Sequence, residues 1–581
     1  MIPDPPLPET HPVIRAKRRL GRIRRYAARR WWARRNGREY RAWLKNTQQS
    51  APGSIGNKIP ISVIIPVFNP PISFLRECVE SVLGQTARNW QLIVSDDGST
   101  DPAVSDFLDE LTSRMADDDR VRVVRSENGG ISAAQNRALE HVRYEYFGWL
   151  DHDDQLNRTA VEEFSARIAE ASTPPAVVYS DEDKIDASGR HFELYCKPDY
   201  SPELLLTQMY LCHFTVFRTD DVRRVGGFDS SMDGAQDFDL ALRLSAEWAV
   251  DDVLHIPLPL YHWRAWAQST AESIEAKPWA QQATARAQRA HLQRTGIGGN
   301  VQPGPIAGLN EVHPQPAISL ADVCVIIPTA GTRAADGERL VDRAVHSLRQ
   351  ANGGSDLEIV VVMTGELEPI AGVQQQVLAP PGPFNFSRVI NVGRRQTSRP
   401  WLLLLNDDTE VATAESLERM LELTAIPGVG VIGATLVYPD SRLQHVGMVV
   451  LPSGPTHAFI GAAAGERGYF GSTLTPRNYA AVTAAAMLVD AAVFDDLEGF
   501  DEEFARDYND VDFCLRAWRA GARVAWTPYA TFIHHEGASL ARRTADRGET
   551  DSFHRRWPSA VPDPWYSPAL HQTIDRLYQP R

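Results

Sequence analysis

Cysteine is scarce in this 581-residue chain. The five present, Cys78, Cys196, Cys212, Cys324 and Cys514, stand far apart and form no Cys-x-x-Cys pair. That excludes a thiolate zinc module and offers no disulfide framework, so a reducing compartment is expected. Long apolar runs are missing too. The nearest, Tyr479 to Phe494, is broken by Asp490 and falls short of the about 18 apolar residues a membrane helix needs. The first residues lack the order of a secretory leader. A cytoplasmic protein that spans no membrane is the expectation. No Gly-x-Gly-x-x-Gly turn follows the first apolar run, because residues 66–71 read Pro-Val-Phe-Asn-Pro-Pro. No Gly-x-x-x-x-Gly-Lys-Ser/Thr occurs either, so dinucleotide oxidoreductases and phosphate-loop enzymes are excluded.

What is present is a globular composition, 43% hydrophobic and 23% charged, in a chain long enough for two or three domains. The formal net charge is −14 but unevenly spread. Residues 15–45 hold 14 Lys and Arg against Glu39 alone. Leu20, Ile23, Tyr26, Trp31 and Trp32 recur there at helical spacing, so residues 1–57 read as a basic helical arm. Such an arm suits peripheral contact with an anionic membrane surface, and equally packing on the acidic body. No nucleic-acid motif accompanies it, and the acidic remainder would repel a polyanion, so nucleic acid is not an expected partner.

Short apolar runs alternate with helical patterns in two regions. Residues 61–66, 91–95, 120–125, 146–150 and 177–180 read as strands of the first, and 323–328, 358–362 and 401–405 as strands of the second. The runs are nearly continuous, as in a mostly parallel sheet covered on both faces by helices. Residues 301–320 are rich in Pro and Gly and read as a linker or a partly ordered connection. The expected organisation is an arm at 1–57, α/β domains at 58–300 and 321–545, and a tail at 546–581 packed on the second domain. The two regions repeat each other in order. Ile64-Ile65-Pro66 recurs as Ile326-Ile327-Pro328, Asn136 as Asn391, Asp153 as Asp408, Gly227-Phe228-Asp229 as Gly499-Phe500-Asp501, and Asp237-x-Asp239 as Asp510-x-Asp512. Five shared motifs in one order indicate a duplicated domain.

Ligands of open α/β sheets bind beyond the carboxyl ends of the strands, and here those ends are polar. They read Ser95-Asp96-Asp97-Gly98-Ser99, Asn128-Gly129-Gly130, Asp151-His152-Asp153-Asp154 and Asp181-Glu182-Asp183. One such Asp is commonly a helix cap or turn residue. Three carboxylates within Asp151–Asp154 repel one another unless a cation lies among them, and hard oxygen ligands suit Mg²⁺ or Mn²⁺. A cation held by one or two carboxylates keeps positions for substrate phosphates, which makes a diphosphate its natural partner.

Residues 65–69 (Ile-Pro-Val-Phe-Asn), 95–99, 130–136 (Gly-Ile-Ser-Ala-Ala-Gln-Asn) and 150–154 (Leu-Asp-His-Asp-Asp) together resemble the ordered motifs of family-2 inverting glycosyltransferases of the GT-A fold. The resemblance covers both domains, and residues 383–387, 438–440 and 444–445 are similar to bacterial surface-polysaccharide and rhamnosyltransferase-like members. It implies a donor nucleotide-diphosphate sugar, a glycan or lipid-linked saccharide acceptor and a divalent metal. It implies nucleotide contacts at Pro66, Asp97, Asn136, Asp151 and Pro328. It implies metal ligands at Asp153 and His262, and a general base at Asp237. In the second domain it implies metal ligands at Asp408 and His534, with His535 as runner-up, and a base at Asp510. Two departures stand there: Asn406 replaces Asp151, and Met363-Thr364-Gly365 offers no counterpart of Asp97. A bifunctional transferase is therefore weighed against one active domain beside an acceptor-binding or assembly module. A processive membrane synthase is disfavoured, because Phe553 stands where the Gln of a Gln-x-x-Arg-Trp signature would precede Arg556-Trp557.

Overall fold

The computed structural model describes residues 59–266, 278–535, 546–558 and 563–580. The basic arm and its membrane contact lie outside the described residues. Among the described residues no helix is long and apolar enough to cross a membrane.

The apolar run Ile61–Val67 forms β1, buried along its whole length. Trp90–Asp96 (β2), Val121–Arg125 (β3) and Tyr146–Trp149 (β4) run parallel in the order β3-β2-β1-β4. Alternate residues of β1 serve two cores. Ile61, Val63 and Ile65 pack with Leu75 and Val79 of one helix and Phe107 of another. Ile64 packs with Ala138, Leu139 and Leu240 on the opposite face. Burial on both faces is why the strand reads as an unbroken apolar run.

Beyond β4 the sheet continues with Gln155–Leu156 (β5), Val177–Asp186 (β6), His191–Tyr195 (β7), Thr215–Arg218 (β8) and Val253–Ala265 (β9). The order is β4-β8-β6-β9-β5, with β7 beside β6. Because β8 is antiparallel to both neighbours and β9 parallel to β6, six of the nine strands point one way.

Part of the stretch between the two regions is ordered. Gly299–Pro303 (β10) and Asn310–Pro314 (β11) form a hairpin, with Val301 opposite Val312. Both valines pack on Leu206 and Leu292, and Asn310 bonds Gln288 at 3.0 Å. Two alternating apolar positions suffice to anchor a hairpin, and they were hidden by the surrounding Pro and Gly.

The second sheet contains Val323–Thr329 (β12), Glu358–Met363 (β13), Gln375–Leu378 (β14), Trp401–Leu405 (β15), Thr409–Val411 (β16), Val429–Val437 (β17) and Leu443–His445 (β18). Met448–Leu451 (β19) and Gly454–His457 (β20) make a separate hairpin. Arg477–Asn478 (β21), Ala486–Asp490 (β22) and Arg523–His534 (β23) complete the sheet. Its order, β14-β13-β12-β15-β22-β17-β23-β16, matches the first sheet position by position.

The repeated sequence motifs are repeated clamps. Asn136 donates to the Phe228 carbonyl at 2.7 Å and accepts from the Phe228 N–H at 2.8 Å. Asn391 holds Phe500 the same way, at 2.8 and 3.0 Å. A Cβ on Gly227 or Gly499 would lie 2.4 Å from the respective Asn Oδ1, and both glycines have positive φ. Arg243 bonds Asp239 and the carbonyls of Val225 and Gly227, while Arg516 bonds Asp512 and the carbonyls of Leu497 and Gly499. Asn136, expected at the nucleotide, has its amide engaged by the N–H and carbonyl of one residue, Phe228.

The halves touch. Tyr469 accepts from Cys196 N–H and donates to the Leu194 carbonyl, at 2.8 and 3.0 Å. Arg523 pairs with the buried Glu203 at 2.9 Å, and Ser201 donates to Asn478 at 2.7 Å. The tail packs Phe553, Trp557, Trp565 and Tyr566 into the second core. It also reaches the first half, where Asp199 N–H donates to the Pro564 carbonyl at 2.9 Å.

Candidate active site

The carboxyl ends of β1, β2 and β4 meet at one edge of the first sheet. Buried Pro66, one residue before the end of β1, turns its carbonyl to His152 Nδ1 at 3.1 Å. Asp97 follows β2, and its carboxylate is already engaged. Its two oxygens accept from Gly129 and Gly130 N–H at 3.0 and 2.9 Å, and Arg137 pairs with it as well. Asp97 thus fastens the end of β2 to the loop before the helix Ile131–Glu140. Next along that loop, Asp233 accepts from the N–H and hydroxyl of Ser132.

The four residues after β4 part company. Asp154 is buried, bonded by the Tyr261 hydroxyl and by Arg264 N–H. Burial, then the charges of Asp153 and Asp151, push its carboxyl well above the usual range. Asp153 accepts from Trp266 Nε1 at 2.7 Å. Asp151 stands half-exposed at the cleft, with His213 Nε2 3.8 Å from its Oδ2. Burial raises its pKa, Asp153 and Asp237 add to that, and His213 opposes it. Such crowding of carboxylates fits a hard divalent cation at Asp151 and Asp153.

Asp237 lies in the first turn of the helix Gln236–Ser245 and accepts from Phe238 N–H at 2.8 Å. Burial raises its pKa against that hydrogen bond and the neighbouring His213. A partly buried carboxylate with raised pKa is a better proton acceptor than an ordinary Asp once ionised.

The sequence reading missed His213 and Lys197, and named Glu182 only within a polar strand end. His213 Nδ1 lies 3.4 Å from Glu182 Oε2, and the wholly buried Lys197 pairs with Glu182 at 3.0 Å. Burial disfavours charge on the imidazole, but Glu182 and Asp151 raise its pKa to about 9. Burial likewise opposes the Glu182 charge, yet Lys197 and His213 bring its pKa down to about 2. The carboxylates of Glu182 and Asp151 thus favour the protonated form of His213. The Asp181–Asp183 run was a visible signal for Glu182. Nothing in the spacing around Leu-Cys-His-Phe marked His213.

His262 is not where the metal reading put it. The β6–β9 pairing sets it opposite Asp183, and its Nδ1 meets Asp183 Oδ1 at 2.6 Å. Among the described residues the close donor clusters are Glu182–Cys212–His213 and Asp183–His191–His262, and Asp153 belongs to neither. The second half differs: His534 Nε2 lies 3.0 Å from Asp408 Oδ1, and its Nδ1 faces Gln444 Oε1 at 2.8 Å.

Strand register explains the contrast. Corresponding pairs run through the sheets from Ile61–Tyr146 and Val323–Trp401 to Val177–Phe217 and Val431–Val489. Counted onward, the pair Asp183–His262 matches Val437–Ile533, and the β5 pair Gln155–His262 likewise matches Glu410–Ile533 of β16. His534 therefore occupies the place of Trp263, one residue beyond His262. In a strand that step reverses the side-chain face, so the two histidines look opposite ways.

Other residues of the second site come together. Asp510 lies in the first turn of the helix Asn509–Arg519 and accepts from Val511 and Ala484 N–H at 2.9 and 3.2 Å. Burial raises its pKa, as for Asp237. His445 and His457 face each other through Nδ1 at 2.8 Å, and burial keeps His445 neutral. Buried Pro328 precedes Thr329, whose hydroxyl donates to Asp407 at 2.6 Å. His535 turns to Glu410 at 2.8 Å, away from the Asp408 carboxylate that His534 meets.

Residues 62–226 match the model of "Glycosyl transferase family 2". Across 532 residues, 88% of this chain, it is 37% identical to the uncharacterized protein y4gI of Sinorhizobium fredii, spanning 57% of that protein. Across 557 residues, 92% of this chain, it is 33% identical to the O-antigen biosynthesis protein RfbC of Myxococcus xanthus, spanning 43% of it. A segment of 190 residues, 32% of this chain, is 36% identical to a chondroitin synthase of Escherichia coli, 26% of which it covers. The chain thus spans about half the length of the first two of these relatives. Residues 62–226 of the chain thus form a domain of glycosyltransferase family 2.

Proposed function

We propose that the protein is a metal-dependent inverting glycosyltransferase that moves sugars from nucleotide-diphosphate donors to a growing bacterial surface glycan. The convergence of Asp151, His213 and Asp237 at the end of β4 carries this reading. Asp237 accepts the proton of an acceptor hydroxyl. That oxygen bonds to the anomeric carbon on the face opposite the diphosphate, and the carbon–oxygen bond to phosphate breaks. The electron pair leaves with the nucleoside diphosphate, so configuration inverts and no covalent enzyme intermediate is needed. Asp151 and Asp153 would hold a divalent cation, Mg²⁺ or Mn²⁺, which supplies positive charge against the leaving diphosphate. Protonated, His213 would add charge of the same sign. Pro66 and the Asp97-anchored loop would border the nucleotide.

Residues 58–300 and 321–545 are read as two transferase domains, the second using Asp510 as base and Asp408 with His534 as metal ligands. Pro328 would border its nucleotide. A second reading keeps one active domain and makes the other an acceptor-binding or assembly module. It is favoured by Met363 and Asn406, which replace a strand-end Asp and a metal-side carboxylate. The test is sugar release from a panel of nucleotide-diphosphate sugars with Mn²⁺ and with chelator, alongside Asp237→Asn and Asp510→Asn. Each substitution is expected to lower the rate of its own site by roughly 10²- to 10⁴-fold with donor binding retained. Release indifferent to chelator would sink the metal reading. Products unchanged by Asp510→Asn would leave one active domain.

A further inference from the structure

Three donors meet on the sheet away from the Asp151–Asp237 cleft: Asp183 of β6, His191 of β7 and His262 of β9. Register puts them on one face. His262 is paired with Asp183, and His191 is paired with Ile185, two residues along the same strand. Asp183 is fully buried, His262 nearly so, and His191 is 25% exposed at its side chain. Each carboxylate oxygen faces one imidazole, His262 Nδ1 at 2.6 Å and His191 Nδ1 at 2.8 Å. The two rings stand edge to face, 4.6 Å between centroids and 84° between planes. All three donor atoms lie within 4.8 Å of one another.

We propose that Asp183, His191 and His262 form a binding site for a borderline divalent cation of the Zn²⁺ type, separate from the carboxylates that follow β4. Two imidazoles with one carboxylate match Zn²⁺ or Co²⁺, whereas Mg²⁺ prefers an all-oxygen shell. Ligands about 2.1 Å from a tetrahedral ion stand about 3.4 Å apart, so each imidazole needs to open from the Asp183 carboxylate by about 0.6–0.8 Å. Three protein ligands leave a fourth position, and His191 gives the site its opening to solvent. Nearby Arg264 is turned away, paired with Glu77 and bonded to the Asp153 carbonyl. Bound there, the ion joins three strands, β7, β6 and β9, beside the cleft that Glu182 lines. The site stands independently of the donor reading.

The test uses the full chain stripped of metal. Zn²⁺ binding is measured by equilibrium dialysis, and Co²⁺ binding by its visible absorption. Wild type is compared with His191→Gln, Asp183→Asn and Asp153→Asn, each checked for folding by circular dichroism. His191→Gln is the informative variant, because a rim residue changed to a similar size keeps the fold. Loss of one Zn²⁺ equivalent, or at least a tenfold weaker affinity, in His191→Gln but not in Asp153→Asn is expected. Tetrahedral Co²⁺ absorption should fall with it, and Mg²⁺ should not compete. Zn²⁺ stoichiometry and affinity unchanged in His191→Gln would overturn the proposal and leave a hydrogen-bonded Asp flanked by two histidines. Equal loss in Asp153→Asn would overturn it too, by assigning the ion to the cleft.

Discussion

Asn136→Ala separates a nucleotide contact from a structural clamp. The side chain satisfies both the N–H and the carbonyl of Phe228, at 2.8 and 2.7 Å, and Phe228 is 3% exposed. Truncation removes two hydrogen bonds and strands a donor and an acceptor where water has little access. Leaving a buried polar group bare costs about 1–3 kcal/mol, so the pair predicts a loss of about 2–5 kcal/mol. For a domain of this size that is roughly 5–15 °C in melting temperature. Asn391→Ala removes the same pair of bonds from Phe500 and should cost a similar amount. Scanning calorimetry on both variants reads these shifts, and fluorescence titration with nucleoside diphosphate reads binding at a temperature where each remains folded. Destabilisation in both with nucleotide affinity kept within a few-fold is the predicted pattern. An Asn136→Ala protein as stable as wild type, with nucleotide binding lost, would refute the clamp.

The other predictions are brief. His213 has its pKa raised to about 9 from about 6.5, so its pairing stabilises the fold fully below about pH 6.5 and that stability drains as pH rises through 9. The difference in stability between wild type and His213→Gln should shrink by up to about 3 kcal/mol between pH 6.5 and 10, measured by urea unfolding. Gly227→Ala and Gly499→Ala should each destabilise, because the new Cβ meets the Asn Oδ1 at 2.4 Å; thermal melts that match wild type would contradict the clamp geometry. Arg523→Ala strands the buried Glu203 carboxylate and should cost about 3–5 kcal/mol, read as earlier loss of contact between the halves in hydrogen exchange at Ser201 and Asn478. Transfer by the Asp237 site should fall on the acid side at a pH above the usual Asp range, since burial raises that carboxyl; a flat acid limb would remove Asp237 as base.

Much of the sheet was legible because its strands are buried on both faces. The unbroken run 61–66 could be little else, and β1 covers it. The repeat was legible for a related reason: Gly227, Asn136 and Arg243 are letters fixed by one shared clamp, and the clamp recurs. The hairpin at 299–314 escaped notice because only Val301 and Val312 carry its packing. Site chemistry was readable where one segment supplies it, as in Asp151–Asp154. It was unreadable where partners come from distant strands. The His213 ring meets Glu182, 31 residues earlier, and no local pattern announces that pairing. His262 and His534 correspond as letters, but their faces differ, since a face is set by register across the sheet.

That one-residue slip has a practical side for building hybrids of the two halves. A splice that joins them by matching His262 to His534 would graft β9 or β23 in the wrong frame, sending core side chains to the cleft and cleft side chains to the core. Splicing with Trp263 matched to His534 keeps inside and outside in place. The two halves are interchangeable parts only on the thread their backbones share, and that thread is offset by one tooth from the lettering.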